Sequence, residues 1–167
     1  MANGILLTSG DVYSANGPNN SGSTGTGHGA PGDADLNMIP GVVGTNDACV
    51  LEFDLTVTSD TIRFNYVFGS EEYIEYVNFI NDVFAFYISG PGIVGTENLA
   101  LIPGTDTEVS INNVNHILNT EYFVDNGDGT VPPYNSDDFY IQYDGFTTVL
   151  EAKRQVIPCE TYHLKIA

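Results

Sequence analysis

Thr61-Ile62-Arg63-Phe64-Asn65-Tyr66-Val67-Phe68-Gly69-Ser70-Glu71-Glu72-Tyr73 decides how this chain is read. Ile62, Phe64, Tyr66 and Phe68 alternate with Arg63, Asn65 and Val67, the period-two pattern of a strand with one buried face. Two adjacent carboxylates, Glu71 and Glu72, leave the end of that strand. Nine residues on, Asn81-Asp82 opens a second apolar run, Val83-Phe84-Ala85-Phe86-Tyr87-Ile88. An unbroken apolar run of that length suits a strand buried on both faces. Strand ends joined by a short connection lie close in space, so Glu71, Glu72, Asn81 and Asp82 can converge at one rim of a sheet. An oxygen cluster of that kind suits a hard cation such as calcium. Solvated loop charges and ordinary turn chemistry would account for the same residues.

Working outward, the alternation recurs. Cys49, Leu51, Phe53, Leu55 and Val57 alternate with Val50, Glu52, Asp54 and Thr56. Shorter strands are expected at 98–102, 107–111, 120–124, 139–143, 146–151 and 161–166. Turn signals separate them: Ser89-Gly90-Pro91-Gly92, Ile102-Pro103-Gly104, Asn126-Gly127-Asp128-Gly129 and Asp144-Gly145. Helical periodicity is absent beyond a turn or two over 71–80. The pattern predicts an all-β chain: one antiparallel β-sandwich of jelly-roll type over residues 1–167, with long Gly/Asn-rich loops. Residues 14–47 form the longest of these, expected to cross one end of the domain in an ordered path. Within it Asp33, Asp35 and Asn37 alternate and could supply further oxygen ligands, though a flexible surface loop would have the same composition.

Composition narrows the function. The chain has 22 acidic and 4 basic residues, a net charge of −18. Nucleic acid and anionic membrane surfaces are poor partners for it, because binding them relies on Lys and Arg. Cations suit it better, although an acidic surface also serves plain solubility. No apolar stretch is long enough for direct membrane insertion. Met1-Ala2-Asn3-Gly4 lacks the basic start of an export signal, so the chain reads as a mature module cut from a longer precursor. Cys49 and Cys159 are the only cysteines. An even count in an acidic, Gly-rich protein points to one long-range disulfide in an oxidising compartment, with two buried thiols as the alternative.

Other chemistry is weakly supported. Val124-Asp125-Asn126-Gly127-Asp128-Gly129-Thr130 approaches a calcium-loop pattern, but Val124 and Asn135 fall where the first Asp and the closing Glu belong. A tight turn explains it better. His28, His116 and His163 share no motif, and His163 within a strand reads as a hydrogen-bonded structural residue. No Gly-x-Ser-x-Gly elbow or phosphate loop is present. A carbohydrate-active hydrolase could pair Glu72 with Asp82, since adjacent Glu71 and Glu72 point opposite ways on an extended chain. Tyr73 and Tyr76, with Tyr134 and Tyr140, lie near expected loops or strand ends and could face a sugar beside a calcium ion. Alternating Tyr is also ordinary strand composition.

The blocks Phe68–Tyr73 and Asn81–Gly92 resemble the choice-of-anchor L domain. Gly4–Gly10, Gly32–Leu36, Asp47–Asp54, Val109–Asn115, Tyr143–Leu150 and Pro158–Lys165 carry the same resemblance in the right order along nearly the whole chain. It implies a β-rich bacterial module, secreted or at the cell surface, carried by proteins with differing anchors, and no reaction. Relatives continue past Tyr162-His163-Leu164-Lys165 into another strand. The sheet is therefore expected to have an open edge at the C-terminal strand or a missing core element, and so to self-associate or to bind a β-strand in trans. The combined expectation is a non-catalytic adhesion or binding module, calcium-stabilised, for an extracellular ligand such as a glycan. A hydrolase or a structural assembly subunit are the alternatives.

Overall fold

The computed structural model describes residues 4–129 and 141–167. Tyr134, Asn135, Tyr140 and the start of the strand expected at 139–143 lie outside the described residues. Among the described residues nine strands follow in order: β1 Leu51–Thr56, β2 Thr61–Tyr66, β3 Gly69–Ser70, β4 Phe86–Ser89, β5 Glu97–Asn98, β6 Phe123–Asp125, β7 Gly145–Thr147, β8 Leu150–Gln155 and β9 Thr161–Ile166. Single 3-10 turns at Val12–Ala15, Leu36–Met38 and Thr120–Tyr122 are the other regular elements among the described residues. The all-β, antiparallel class expected from the alternation is the one the chain adopts. Its strands form a four-stranded sheet (β1-β9-β4-β5), a pair (β2-β8) and a three-stranded sheet (β3-β7-β6).

Side-chain alternation explains how these pieces meet. Ile62 and Tyr66 of β2, with Leu150 and Ala152 of β8, point inward, while Arg63, Glu151 and Lys153 face water. The inward set joins Phe86 and Ile88 of β4 and Tyr162 and Leu164 of β9 in two apolar clusters. Aromatic rings bind the two predicted apolar runs to each other. Phe64 stacks on Phe86 at 5.5 Å, and Phe84 meets Tyr66 at 5.2 Å and Phe86 at 4.7 Å. Such pairs contribute about 0.5–1.5 kcal/mol each beyond area burial. The run at 83–88 is shorter as a strand than it looked. Only Phe86 onward is in β4, and Val83 makes an isolated bridge to Ser110.

Two expectations fail on strand order. The C-terminal strand is not an edge, because β9 lies between β1 and β4 and is hydrogen-bonded on both sides. Over residues 163–166 its backbone is taken up on both sides, so the open edge expected for self-association is not there. The Cys49–Cys159 disulfide fails for a related reason. β1 and β9 are indeed neighbours, but the antiparallel register pairs Leu51 with Ile166 and Thr56 with Thr161. Cys49 precedes Leu51 at one end, whereas Cys159 donates its amide to Val57 O at the other. At about 3.3 Å per residue the two cysteines sit roughly 25–30 Å apart, against the ~7 Å that a bridge allows between Cα atoms. Both are free and exposed. A reducing agent should leave the melting temperature unchanged, whereas loss of a native bridge would cost about 2–5 kcal/mol.

The 14–47 segment is anchored rather than loose. Leu36 and Ile39 pack with Ala85, and Asn19 is fully buried. Histidine 163 takes the structural role expected of it, its Nδ1 lying 2.9 Å from Asp54 Oδ1 on β1.

Candidate functional site

The acidic rim is built where β3 ends. Ser70 is buried, and its hydroxyl donates to Asp82 Oδ2 at 2.7 Å while accepting the Glu72 amide at 3.0 Å. That one side chain fastens both ends of the 71–82 connection. Between them the chain makes a run of tight turns, with the Tyr76 amide on Glu72 O and the Ile80 amide on Tyr76 O. The turn or two of helix expected over 71–80 does not form, and isolated hydrogen-bonded turns take its place. Tyr73 and Val77 point inward and seat the turn on Ile111 and Phe123.

Adjacent Glu71 and Glu72 part company. Glu72 stays near Asp82: burial pushes its carboxyl up, and the charges of Asp82 and Glu75 push it further. Burial pushes Asp82 up as well, with the Ser70 hydrogen bond opposing. Asp82 is nevertheless exposed, and water limits how far that push goes. Asn81 does not join them through its oxygen, which accepts the Asn112 amide at 3.1 Å. Asp33 and Asp35 are occupied elsewhere, their carboxylates each 2.6 Å from Lys165 Nζ on β9. Burial raises Asp33, but Lys165 and the Leu36 and Asp35 amides outweigh it and hold the carboxyl below its usual range. The protein's own ammonium thus fills the place imagined for a metal. Among the described residues, no three His, Cys, Asp or Glu side chains converge as a metal cluster.

Glu71 turns toward a site the sequence did not advertise. The β3–β7 ladder pairs Gly69 with Phe146 and Ser70 with Gly145. One step further along that register, Glu71 faces Asp144. Asp144 is 1% exposed, and its Oδ1 accepts Asn19 Nδ2 at 2.7 Å. Asn19 also donates to Gly127 O at 2.8 Å and accepts Gln142 Nε2 at 3.1 Å, and Asn126 spans the Ile141 and Tyr143 carbonyls. Glu71 Oε1 accepts the Thr24 amide at 2.5 Å. The second oxygen of each acid, Glu71 Oε2 and Asp144 Oδ2, is buried with no hydrogen-bond partner. Burial lifts the Glu71 carboxyl, and lifts that of Asp144 to about 7, with Glu71, Glu75 and Asp128 adding repulsion.

Asp144-Gly145 reads as a turn in sequence, yet Gly145 is the first residue of β7. A Cβ there would come within 2.8 Å of Tyr73 and 2.7 Å of Phe123, so the glycine is needed for close packing of the Tyr73 ring.

The two tyrosines proposed for ligand contact also separate. Tyr73 is fully buried, its hydroxyl donating to Val114 O at 2.7 Å and its ring 4.8 Å from Phe123, so no ligand reaches it from outside. Tyr76 is exposed, as are Ile80 and Phe79, the last at 86%. Phe79 had no periodic signal to distinguish it.

Comparison with curated proteins and with solved structures returned no match. Among the described residues no helix is long and apolar enough to cross a membrane. The family model of the Choice-of-anchor L domain matches residues 1–167, the whole chain. That match places it among bacterial cell-surface or secreted modules, which are in general non-catalytic. From its first strand to its last, then, this chain belongs to the Choice-of-anchor L domain family.

Proposed function

We propose that the chain is a non-catalytic adhesion module that uses its 71–82 turn to contact an extracellular ligand, a glycan being the best chemical fit, and that calcium stabilises this rim. One observation carries the contact surface: the turn is seated by buried Tyr73 and Val77, yet holds Tyr76, Phe79 and Ile80 in water. Exposing an aromatic ring at 86% forgoes burial worth about 1.5–3 kcal/mol, which a binding role explains. The rings offer flat apolar faces for a sugar, and Glu72 and Glu75 offer acceptors for its hydroxyls. A glycan array should give signals that fall about tenfold or more with Tyr76→Ala or Phe79→Ala, at unchanged melting temperature. Binding that survives both substitutions would move the contact surface elsewhere.

Hydrolysis by Glu72 and Asp82 has one observation in its favour, the mutual repulsion that lifts Glu72. The exposure of Asp82 counts against it, since a carboxyl open to water lacks the dry pocket in which a general acid is held protonated. Turnover on a glycan panel, abolished by Glu72→Gln, would establish the enzyme in place of the adhesin.

A further inference from the structure

We infer that Glu71 and Asp144 form a calcium site, binding the ion between Oε2 of the first and Oδ2 of the second, beneath the 71–82 turn. The inference rests on the calcium-stabilised reading above and gives that ion a different location from Glu72 and Asp82.

Three observations converge on it. First, register: continuing the β3–β7 ladder by one residue sets the two acids directly opposite each other, where cross-strand Cβ atoms lie about 4.5–5.5 Å apart. Like charges so placed repel unless something sits between them. Second, the orphaned oxygens: Oε2 and Oδ2 are both sealed from water and lack a well-formed hydrogen bond, the Asp144 amide only approaching the Glu71 carboxylate, while Oε1 and Oδ1 are already fixed by Thr24 and Asn19. Buried polar atoms are almost always satisfied, so two adjacent exceptions of the same sign point to a missing positive partner. Third, among the described residues no basic side chain is placed at the pair, and Lys153 stands exposed on β8 opposite Arg63. Arg63 pairs with Glu151, Arg154 with Glu97, and Lys165 with Asp33 and Asp35. The charges acting most strongly on Asp144 are all negative.

The donor chemistry selects the ion. Both donors are carboxylate oxygens, and the side chains hydrogen-bonded around them are the amides of Asn19 and Gln142, with no thiol or imidazole among them, which suits calcium over zinc or copper. Magnesium holds its water shell and demands octahedral geometry that two strand-fixed carboxylates do not readily supply.

The ion would act as a clamp. Glu71 begins the exposed turn, Asp144 lies next to the glycine on which Tyr73 packs, and Asn19 ties the N-terminal segment to the same acid. Neutralising the pair would draw three chain segments together under the contact surface.

Melting curves and calorimetric titration with calcium chloride test this, with a chelator as the reference. Calcium at a hundredfold excess over its dissociation constant should raise the melting temperature by several degrees, reversed by chelator, with a single site by calorimetry and a smaller effect of magnesium. Asp144→Asn keeps the shape of the side chain and should abolish both the rise and the titration heat. Glu71→Gln, at the half-exposed partner, should do the same and serves if the buried variant fails to fold. Retention of the rise in both, with loss in Asp82→Asn or Glu72→Gln, would overturn this site while leaving the module calcium-stabilised. A wild-type protein indifferent to calcium in both measurements would overturn the site and the calcium reading together. The same indifference with a rise on acidification that Asp144→Asn removes would show that the two oxygens share a proton instead.

Discussion

Metal-free protein should lose stability as the pH rises from about 4 to about 7, the reverse of the usual behaviour of a carboxylate-rich chain. The sign follows from Asp144. Its carboxyl is raised in the fold from 3.8 to about 7, chiefly by burial and next by the charges of Glu71, Glu75 and Asp128, against the Asn19 hydrogen bond. Below about pH 4 the group is protonated folded and unfolded alike, and contributes nothing. Between the two values the folded chain holds a proton that the unfolded chain has released, so each step up in pH favours unfolding. Three pKa units correspond to a loss on the order of 4 kcal/mol across that window, at 1.36 kcal/mol per unit. Glu71 and Glu72, also raised mainly by burial, act in the same direction. Denaturant unfolding at a series of pH values in chelator measures the slope. Asp144→Asn should remove the largest part of it and make the protein more stable at pH 7. A stability curve that is flat or rising from pH 4 to 7 in chelator would refute the buried, lifted carboxyl.

The second large effect is expected at Tyr73. Truncation to Ala should cost about 3–5 kcal/mol, as for other large aromatic deletions in cores. The ring fills the space over Gly145, contacts Phe123 at 4.8 Å and anchors the turn that carries Tyr76 and Phe79. Tyr73→Phe keeps the ring but strands Val114 O, and should cost about 1–3 kcal/mol. The pair separates seating from contact. If Tyr73 only seats the turn, the Phe variant binds ligand with wild-type affinity when folded. Stability unchanged in the Ala variant would mean that the turn is held by something other than this ring.

Much of the fold was legible because strand alternation is a local signal. Ile62, Phe64, Tyr66 and Phe68 announce a half-buried strand wherever they occur, and Thr161–Ile166 forms a strand over the very residues expected. Acidic excess and the ordered blocks from Gly4 to Lys165 likewise needed no neighbours to be read, and they carried the family assignment. What one strand faces is a different kind of information. The sequence placed Cys49 and Cys159 near the heads of two strands that do become neighbours. Only the antiparallel register shows that the heads lie at opposite ends. The same holds for the acids. Glu71 and Glu72 are inseparable in sequence, but β3 pairing sends Glu71 across to Asp144 and Ser70 keeps Glu72 beside Asp82. Asp33 and Asp35 looked like oxygen ligands until β9, as an interior strand, delivered Lys165 to them. Burial, partner and pKa are properties of what surrounds a side chain, and for a β protein the surroundings come from residues a hundred positions away. The chain alone therefore determined the kind of protein this is, an acidic all-β surface or secreted module. Its tertiary pairing alone decided that Glu71 is set against Asp144, each with one buried oxygen that no hydrogen bond satisfies.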